Sequence, residues 1–382
     1  MDSDIANIPL VRTLRCPWLL VANNEPGGVF AQVVGTRMCV PEQDWEMCVG
    51  VVVNKLRGQD KDFEPGPTIL ERMVGKPVFV VPFLSDLHLP EESGLGIERR
   101  LAWETHGRQH NENKENKPVV VVVAYAHTLI ADDLFPLEQD ERFHVEWRRR
   151  HIPKPYPATT AVILPGSQLV MKDLKWLFDS GWADFIRRHR AAGGVILGLC
   201  GGYQMLGRSL ADPDATDKIT GTRQGIGLFP IATTIAPPIC NVITRRKAQL
   251  YPSGVHVEGF ELHCGVSKVL PEQLQSLGRA SGISPLLAFE DGRPEGMRLG
   301  TVKGTYLHGI LQSAKARVEL LVPDPKVFPS LKSDTPVEDP LDRFANHLES
   351  CGLDYKKICS MIFGSEQENS RENEEDRERQ QQ

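Results

Sequence analysis

A cysteine between two glycines is the pattern in this chain that could perform covalent chemistry. Residues 195–210 read VILGLCGGYQMLGRSL, so Gly198 and Gly202 each lie two positions from Cys200. An apolar strand that ends in G-x-C-x-G and continues into a helix is typical of a nucleophile elbow, whose strained turn exposes the reactive group. A side chain at either glycine would obstruct the packing of strand against helix. The pattern predicts a nucleophilic thiol, against the alternative of a buried structural cysteine.

The groups that would stabilise an oxyanion beside this thiol lie in two places. The helix after the elbow begins near Gly201, whose backbone amide would face a substrate carbonyl. The neighbouring strand ends in LPGS (164–167), where Gly166 lets the backbone approach a substrate closely. We assign Gly166, Gly201 and Gln204 to oxyanion stabilisation and substrate binding.

A thiol nucleophile needs a base, and two histidines compete for that role. His308 ends a predicted strand in VKGTYLHGIL (302–311), and His263 lies in GFELHCG (259–265). The separation of either from Cys200 in sequence is no objection, because catalytic partners are neighbours in space. The residues alone favour His308 only modestly and leave His263 open.

The elements that must position these residues alternate between strand and helix in two regions. In the first region we predict strands at 17–22, 47–55 and 77–83 and helices at 28–38 and 69–75. In the second region we predict strands at 118–126, 158–167 and 193–199, a helix at 171–192, and shorter strands after about residue 225. Strand–helix–strand order predicts a parallel sheet in each region.

These patterns also predict the boundaries of the domains. They are a first domain at 1–100, a polar linker at 101–117, a second domain at 118–325, a helical extension at 326–364 and a charged tail at 365–382. The extension contains DPLDRFANHLES (339–350), which is predicted to be an amphipathic helix. The tail has too few apolar residues to offset its ordering entropy, so we predict disorder there.

Composition restricts the classes of function. The formal charge is -6, whereas nucleic-acid-binding domains are more often basic. No apolar run is long enough to span a bilayer, and the first residues lack the pattern of a secretory signal. None of the 8 cysteines forms a CxxC pair. We therefore expect a cytoplasmic protein with free thiols, without a nucleic-acid or membrane partner and without a bound metal.

Three segments carry a resemblance to a known family. GLCGGYQMLG, VEGFELHCG and GTYLHGIL are similar to signatures of the cobyric acid synthase family, whose amidotransferase domain is of class I, the triad type. The likeness extends to ILPGSQLVMKDLKWLFDSGW (163–182), GGVFAQVVGT (27–36), NKLRG (54–58), PFLSDLHLPEES (82–93) and DPLDRFANHL (339–348). The resemblance implies an α/β protein with two parallel-sheet domains: a partial, P-loop-type synthetase domain that lacks its P-loop, and then a class I glutamine amidotransferase domain.

The resemblance also implies roles for the site residues. Cys200 would form a glutamyl thioester, and His308, now well ahead of His263, would shuttle the proton. Ammonia from glutamine would then amidate corrin-ring carboxylates with ATP and Mg²⁺. Most class I members have a glutamate two residues after the histidine, where this chain has Ile310. The cobyric acid synthase branch lacks it too, so the third partner stays open; Glu258 and Glu261 are better explained as structural or surface residues.

The first domain departs from the family in its phosphate-binding motifs. No G-x-x-x-x-G-K-[ST] loop is present, VANNEPGGVF replaces an acidic stretch, and NKLRGQ has Gln59 in place of an acid. Asn54 remains as a candidate on the nucleotide side, although an asparagine that ends a strand is more often a turn residue. We expect no tightly bound cofactor, and no binding of ATP and Mg²⁺ by this chain alone in the manner of the family.

Several identities are compatible with these departures. The chain would be a fragment, a half that requires a partner (the missing N-terminal half or a homo-oligomer), or a paralogue with only glutaminase chemistry. Other functions are a related amidotransferase, such as an a,c-diamide synthase or a cell-wall lipid amidating subunit, and a non-catalytic remnant. A cysteine-elbow peptidase is a weaker alternative.

Overall fold

The protein divides into two compact units in a computed structural model. The structure describes residues 7–58, 63–85, 87, 97–98, 100–101, 117–129, 131–235, 244–270, 282–328, 331 and 340–363. One unit comprises residues 1–89 with 338–382, and the other comprises residues 90–337. The predicted linker is almost entirely outside the described residues, and the predicted disordered tail lies wholly outside them.

The α-helices of the described residues follow one another along both units. They are α1 (Ile8–Leu14), α2 (Val29–Cys39), α3 (Glu42–Glu46), α4 (Gly66–Val74), α5 (Phe135–Glu138), α6 (Val170–Asp179), α7 (Trp182–Ala191), α8 (Gly201–Met205), α9 (Ala314–Leu321), α10 (Pro340–Ser350) and α11 (Tyr355–Phe363). Short 3-10 turns occur at Ala131–Leu134, Ile310–Gln312 and Pro325–Val327. No helix among the described residues is long and apolar enough to cross a membrane.

The strands form one sheet in the first unit and several in the second. They are β1 (Trp18–Asn23), β2 (Cys48–Leu56), β3 (Val78–Pro82), β4 (Val119–Val123), β5 (Thr128–Leu129), β6 (His144–Arg148), β7 (Ala161–Leu164), β8 (Gly166–Ser167), β9 (Val195–Leu199), β10 (Ser209–Asp212), β11 (Gly221–Gln224), β12 (Ile231–Thr234), β13 (Thr244–Leu250), β14 (His256–Glu261), β15 (Val266–Val269), β16 (Ile283–Ser284), β17 (Leu287–Phe289), β18 (Pro294–Glu295), β19 (Met297–Leu299), β20 (Val302–Thr305) and β21 (Leu307–His308).

The first unit is built on a parallel sheet of order β1-β2-β3. Its central strand is a nearly continuous apolar run, and Val51 and Val53 are completely buried. An apolar run of this kind suits a strand that is covered on both faces. The three strands and the helices α2 and α4 confirm the elements that the sequence predicts for this region.

The C-terminal helices α10 and α11 belong to this first unit. His347 on α10 donates from Nε2 to the carbonyl of Pro82 at 2.9 Å. Leu353, between the two helices, packs with Val52 and Val81 of the sheet. The helix predicted at 339–350 is confirmed, but its return to the first unit depends on distant contacts that no local pattern shows.

The second unit is built on a seven-stranded sheet of order β16-β19-β20-β9-β7-β4-β6. The five strands from β20 to β6 are parallel to one another, whereas β19 and β16 continue the sheet antiparallel. The VVVV run of 120–123 is completely buried at its centre. Both units are therefore α/β with parallel strands, as predicted; a P-loop-type origin of the first unit stays a prediction.

The long helix predicted at 171–192 is wrong in one respect, because the chain forms two helices there. α6 ends at Asp179 and α7 begins at Trp182, with Ser180 and Gly181 between them. Gly181 has a φ of 84°, in the left-handed region that favours glycine. The apolar spacing continues across the break and concealed it.

An antiparallel sheet of order β18-β17-β13-β14-β21 brings the second signature segment to the third. Strand β14 pairs with β21, so that Phe260 lies opposite His308. The pairing is close at Gly259, where a Cβ would lie 1.8 Å from the carbonyl oxygen of His308. Glycine at this position therefore allows the strand to approach the histidine.

Candidate active site

The predicted site residues follow three neighbouring strands of the seven-stranded sheet. Cys200 directly follows β9, His308 lies three residues after β20, and Gly166 lies two residues after β7. Strand β9 pairs in parallel with both β20 and β7. Because the carboxyl ends of parallel strands meet at one edge of a sheet, the topology alone brings the three segments together.

Cys200 has the backbone geometry that the sequence predicts. Its φ is 49° and its ψ is −109°, values that a residue with a side chain rarely adopts. A Cβ on Gly202 would lie 2.0 Å from the carbonyl oxygen of Leu164, and one on Gly198 would lie 2.8 Å from the amide nitrogen of Tyr203. The prediction of a strained elbow with two obligatory glycines is confirmed.

His308 is almost completely buried beside this elbow, with 1% of its surface exposed. Its Nδ1 lies 2.5 Å from Oδ2 of Asp133. The desolvation of the ring opposes its charge, but hydrogen bonds with Asp133 and with the Cys200 thiol outweigh that effect and raise the pKa of His308 to about 10. The histidine can therefore hold a proton while it faces the sulfur of Cys200.

Asp133 is the functional candidate that the sequence did not reveal. It lies in the 3-10 turn Ala131–Leu134, and its second oxygen, Oδ1, accepts the amide N–H of Gly309 at 2.9 Å. The two bonds fix the carboxylate against the imidazole and against the residue that follows it. Two adjacent acidic residues, as in ADDL (131–134), are typical of an exposed turn. No local pattern therefore distinguished Asp133 as a functional residue.

A second buried carboxylate of the same segment keeps this turn in place. Asp140, 3% exposed, accepts a hydrogen bond from Nε of Arg317 at 2.7 Å. Arg317 also donates to the carbonyls of Leu311 and Gln312, in the 3-10 turn after His308. The segments that carry Asp133 and His308 are therefore joined twice, once at the site and once below it.

His263, the competing histidine, has a different environment. Its Nδ1 lies 2.9 Å from the carbonyl oxygen of Gly265, and its ring stacks on Tyr306 with centroids 3.9 Å apart. Burial lowers the pKa of His263, so the ring favours the neutral form. No hydrogen bond joins it to Cys200, and the geometry supports His308 as the proton carrier.

The backbone after β14 contacts both members of the Cys–His pair. The carbonyl oxygen of Leu262 lies 3.4 Å from Sγ of Cys200 and 3.3 Å from Nε2 of His308. Phe260 stacks on the His308 ring at 5.1 Å between centroids. The second signature segment therefore forms one wall of the site.

The remaining predicted site residues are divided between the two units. Gln204 is 1% exposed and donates from Nε2 to the carbonyl of Cys264 at 3.0 Å, whereas its Oε1 has no partner among the described residues. Asn54 lies in the first unit, where its Oδ1 accepts the amide N–H of Lys55 at 2.9 Å. Lys55 has a φ of 63°, so Asn54 supports a turn at the end of β2.

Glu258 and Glu261 do not contact His308 through their side chains. Glu258 has 73% of its side chain exposed, and Glu261 forms ion pairs with Arg246 and Arg293. Both therefore have the surface or structural roles that the sequence favoured. Among the described residues, no cluster of three or more His, Cys, Asp or Glu side chains could hold a metal.

A parallel sheet that presents a cysteine elbow and a histidine from adjacent strands is the arrangement of a triad-type amidotransferase domain. Comparison with known sequences gives the same class: residues 119–316 match the family of the CobB/CobQ-like glutamine amidotransferase domain. Cobyric acid synthase of Chlorobaculum tepidum is 33% identical over 369 residues, which cover 94% of this chain and 69% of that protein. Cobyric acid synthase of Cereibacter sphaeroides is 34% identical over 351 residues, which cover 91% of this chain and 68% of that protein. The chain belongs to the cobyric acid synthase family of glutamine amidotransferases.

Proposed function

We propose that this chain releases ammonia from glutamine through a thioester on Cys200, and that the ammonia amidates carboxylates of a corrin. One observation carries the proposal. A strained cysteine lies beside His308, since Sγ and Nε2 both contact the carbonyl oxygen of Leu262, and Asp133 holds the other ring nitrogen of His308. This arrangement can ionise a thiol and move its proton, which is what attack on a carboxamide requires.

In the first half-reaction, the proton of the Cys200 thiol passes to Nε2 of His308. The thiolate adds to the side-chain carbonyl carbon of glutamine, and the carbonyl oxygen becomes an oxyanion. The C–N bond then breaks as His308 returns its proton to the nitrogen, which leaves as ammonia. Asp133 stabilises the imidazolium between these two transfers and keeps the proton-bearing Nδ1 directed away from the sulfur.

In the second half-reaction, water hydrolyses the glutamyl thioester. His308 takes one proton from the water as its oxygen adds to the thioester carbon. The C–S bond breaks, glutamate leaves, and the proton returns to Sγ of Cys200. The amide N–H groups of Gly201 and of the Gly166 turn would stabilise the oxyanion in both halves.

Glutamine binding must change two contacts of the site. The carbonyl oxygen of Leu262 contacts Sγ of Cys200 and Nε2 of His308. These are the two atoms that the substrate carboxamide must reach. We infer that glutamine replaces these contacts as it enters. Oε1 of Gln204 is a buried acceptor without a partner among the described residues, and an N–H group of the substrate would satisfy it.

The described residues of the VANNEPGGVF stretch do not offer free ligands to a magnesium nucleotide. Glu25, the carboxylate of the VANNEPGGVF stretch, is bound by Lys55 at 3.3 Å and by Arg57 at 2.7 Å. Asn23 accepts the amide N–H of Glu25, so its oxygen is also used within the turn. Mg²⁺ prefers carboxylates that keep free oxygens, and these residues do not supply them. We therefore assign the ATP-dependent step to a phosphate-binding segment other than these residues.

The corrin acceptor rests on membership of the cobyric acid synthase family. A cobyrinic acid diamide is the acceptor class that follows from it. If the proposal is correct, ammonia release by this chain will couple to acceptor amidation when the phosphate-binding segment, ATP and Mg²⁺ are supplied. Ammonia release that no corrin acceptor alters would exclude this part of the proposal.

The thioester chemistry is tested by labelling with 6-diazo-5-oxo-L-norleucine, an electrophile that mimics glutamine. Intact mass is followed by peptide mapping for the wild type, Cys200→Ser and Cys264→Ser. Cys264 is a matched control, because it lies in the same unit and its backbone carbonyl, which the substitution keeps, makes the contact with Gln204. We expect one adduct per chain, on Cys200, in the wild type and in Cys264→Ser, and no adduct in Cys200→Ser.

Two results would contradict the proposal. An adduct that persists in Cys200→Ser would show that another cysteine reacts. A folded wild type whose Cys200 reacts with iodoacetamide but not with the glutamine mimic would have a nucleophile without a glutamine site. Ammonia release from glutamine, measured on the same samples, gives the turnover that accompanies labelling.

A further inference from the structure

The turn that completes the oxyanion environment contacts the elbow directly. A Cβ on Gly201 would lie 2.9 Å from the amide nitrogen of Ser167. A Cβ on Gly166 would lie 3.9 Å from Cβ of Cys200 and 3.8 Å from Cε1 of His308. A small displacement of Gly166 or Ser167 would therefore change the backbone donors that face the reacting carbonyl.

The backbone holds this turn through only a short pairing. The two-residue strand β8 pairs with the two-residue strand β5, with Ser167 opposite Thr128. One more backbone bond joins the amide of Gln168 to the carbonyl of His127 at 2.9 Å. A two-stranded pairing of this length is marginal by itself, so further contacts must fix its geometry.

A buried carboxylate supplies those contacts. The hydroxyl of Ser167 donates to Oδ2 of Asp173 at 2.6 Å, and Nδ1 of His127 lies 2.8 Å from Oδ1 of the same residue. The Asp173 side chain is 2% exposed, whereas that of His127 is 33% exposed. Oγ of Ser167 also accepts the amide N–H of Leu169 at 3.2 Å. Both oxygens of Asp173 are thus bound by side chains of the segments that form the turn.

The order of these three residues excludes a second nucleophile. In a serine triad the histidine lies between serine and aspartate, whereas here Asp173 lies between Ser167 and His127. The hydroxyl of Ser167 donates to the carboxylate of Asp173, and no histidine lies between the two groups to take the proton. The cluster can hold groups in position, but it cannot activate the serine for attack on a carbonyl.

The helix that carries Asp173 is fixed independently at its start. Asp217 accepts the amide N–H of Met171 at 2.9 Å, in the first turn of α6. Asp217 is 4% exposed, and its hydrogen bond goes to the helix backbone and not to Ser167 or His127. Asp173 and Asp217 are therefore two buried carboxylates at one helix end, of which only Asp173 reaches the turn.

We propose that Asp173, held by His127, is the positioning residue for the oxyanion turn of this amidotransferase. Its carboxylate fixes Ser167 through the hydroxyl, and Ser167 in turn fixes the backbone that faces the carbonyl oxygen of glutamine. This inference rests on the proposed thioester chemistry at Cys200. It adds a charged residue, remote from the substrate, whose effect is exerted on the oxyanion and not on the thiol.

The test separates the oxyanion from the thiol by using two probes of Cys200. 6-Diazo-5-oxo-L-norleucine presents a carbonyl to the turn, whereas iodoacetamide alkylates the sulfur without forming an oxyanion. Labelling rates at Cys200 are measured by peptide mapping for the wild type, Ser167→Ala, His127→Ala, His127→Asn and Asp217→Asn. The amide of His127→Asn can donate an N–H to Asp173 in place of Nδ1.

We expect Ser167→Ala and His127→Ala to slow labelling by the glutamine mimic about tenfold or more relative to alkylation by iodoacetamide. His127→Asn should recover most of the wild-type ratio between the rate of labelling by the glutamine mimic and the rate of alkylation by iodoacetamide. Asp217→Asn should lower the thermal stability but leave this ratio of rates unchanged. In steady-state glutaminase assays, Ser167→Ala and His127→Ala should lose kcat with little change in KM.

If the ratio between labelling by the glutamine mimic and alkylation by iodoacetamide equals the wild-type ratio in all folded variants, this inference is overturned and the proposed function stays intact. An equal loss with both probes would also overturn it, since the cluster would then act on the thiol or on the fold. A wild type that reacts with iodoacetamide and not with the glutamine mimic would overturn the proposed function, and this inference with it.

Discussion

Replacing Asp133 by asparagine should change the protonation of His308 without moving its ring. The carboxamide of Asp133→Asn can still accept the amide N–H of Gly309 through Oδ1, as the aspartate does at 2.9 Å. It loses the negative charge that lies 2.5 Å from Nδ1 of His308. A hydrogen bond to a charged group contributes about 1.5–3 kcal/mol, and about 1.4 kcal/mol corresponds to one pKa unit. The pKa of His308 should therefore fall by about one to two units from its value of about 10.

The sign of the effect on Cys200 follows from the shared proton. A ring that holds its proton less strongly stabilises the negative charge on the sulfur less as the sulfur attacks an electrophile. Alkylation of Cys200 by iodoacetamide should slow about 10- to 100-fold near pH 7.

The assay is the pH profile of Cys200 alkylation, measured by peptide mapping. Glu258→Gln is the matched control, because it removes one carboxylate of the same unit whose side chain is 73% exposed and makes no contact with His308. The control should reproduce the wild-type profile. An Asp133→Asn profile that matches the wild type, in a protein of wild-type stability, would refute the conclusion that Asp133 sets the protonation of His308.

Three further substitutions probe the frame of the site. Gly202→Ala should prevent stable folding, because its Cβ would lie 2.0 Å from the carbonyl of Leu164; Gly35→Ala, with nothing within 4 Å of its Cβ, should leave thermal stability unchanged or slightly raised. Glu295→Gln should remove a pH dependence, because burial raises the pKa of Glu295 from 4.5 to about 7; denaturant titrations will measure it. Arg317→Met should lower the unfolding free energy by about 1–3 kcal/mol in urea, because Asp140 keeps Arg142 but loses its second guanidinium partner, and the carbonyls of Leu311 and Gln312 lose their donor.

The sign of the Glu295 effect can be stated in full. The folded state keeps a proton on Glu295 between pH 4.5 and about 7 that the unfolded state has lost. The wild type should therefore lose stability as the pH rises through this range, by at most about 3 kcal/mol, and Glu295→Gln should not. A normal yield of folded Gly202→Ala, an unchanged slope in Glu295→Gln, or a loss below about 1 kcal/mol in Arg317→Met would each contradict the reasoning for that residue.

The parts of the site that local sequence could predict are those with a steric signature. The elbow at Cys200 could be predicted because glycines at 198 and 202 allow a strand and a helix to pack closely. The structure shows that a Cβ at either position would lie too close to its neighbours. The parallel strands were visible as apolar runs. Asp133 was not visible, because its role depends on a partner 175 residues away. The same limit applies to α10 and α11, whose amphipathic faces show that they pack but not against which sheet.

The backbone turn after His308 explains two features of the site: position 310 carries isoleucine in place of a glutamate, and Asp133 contacts the imidazole instead. Gly309 has a φ of 82°, and the 3-10 turn after it directs Ile310 into the core, where 1% of its surface is exposed. A glutamate at this position would place its charge among apolar side chains instead of beside the imidazole. Asp133 approaches from another segment and binds Nδ1 of His308 and the amide of Gly309 together. The turn that excludes an acid at position 310 thus exposes the amide that a distant acid uses, and the role of orienting the imidazole passes to that acid.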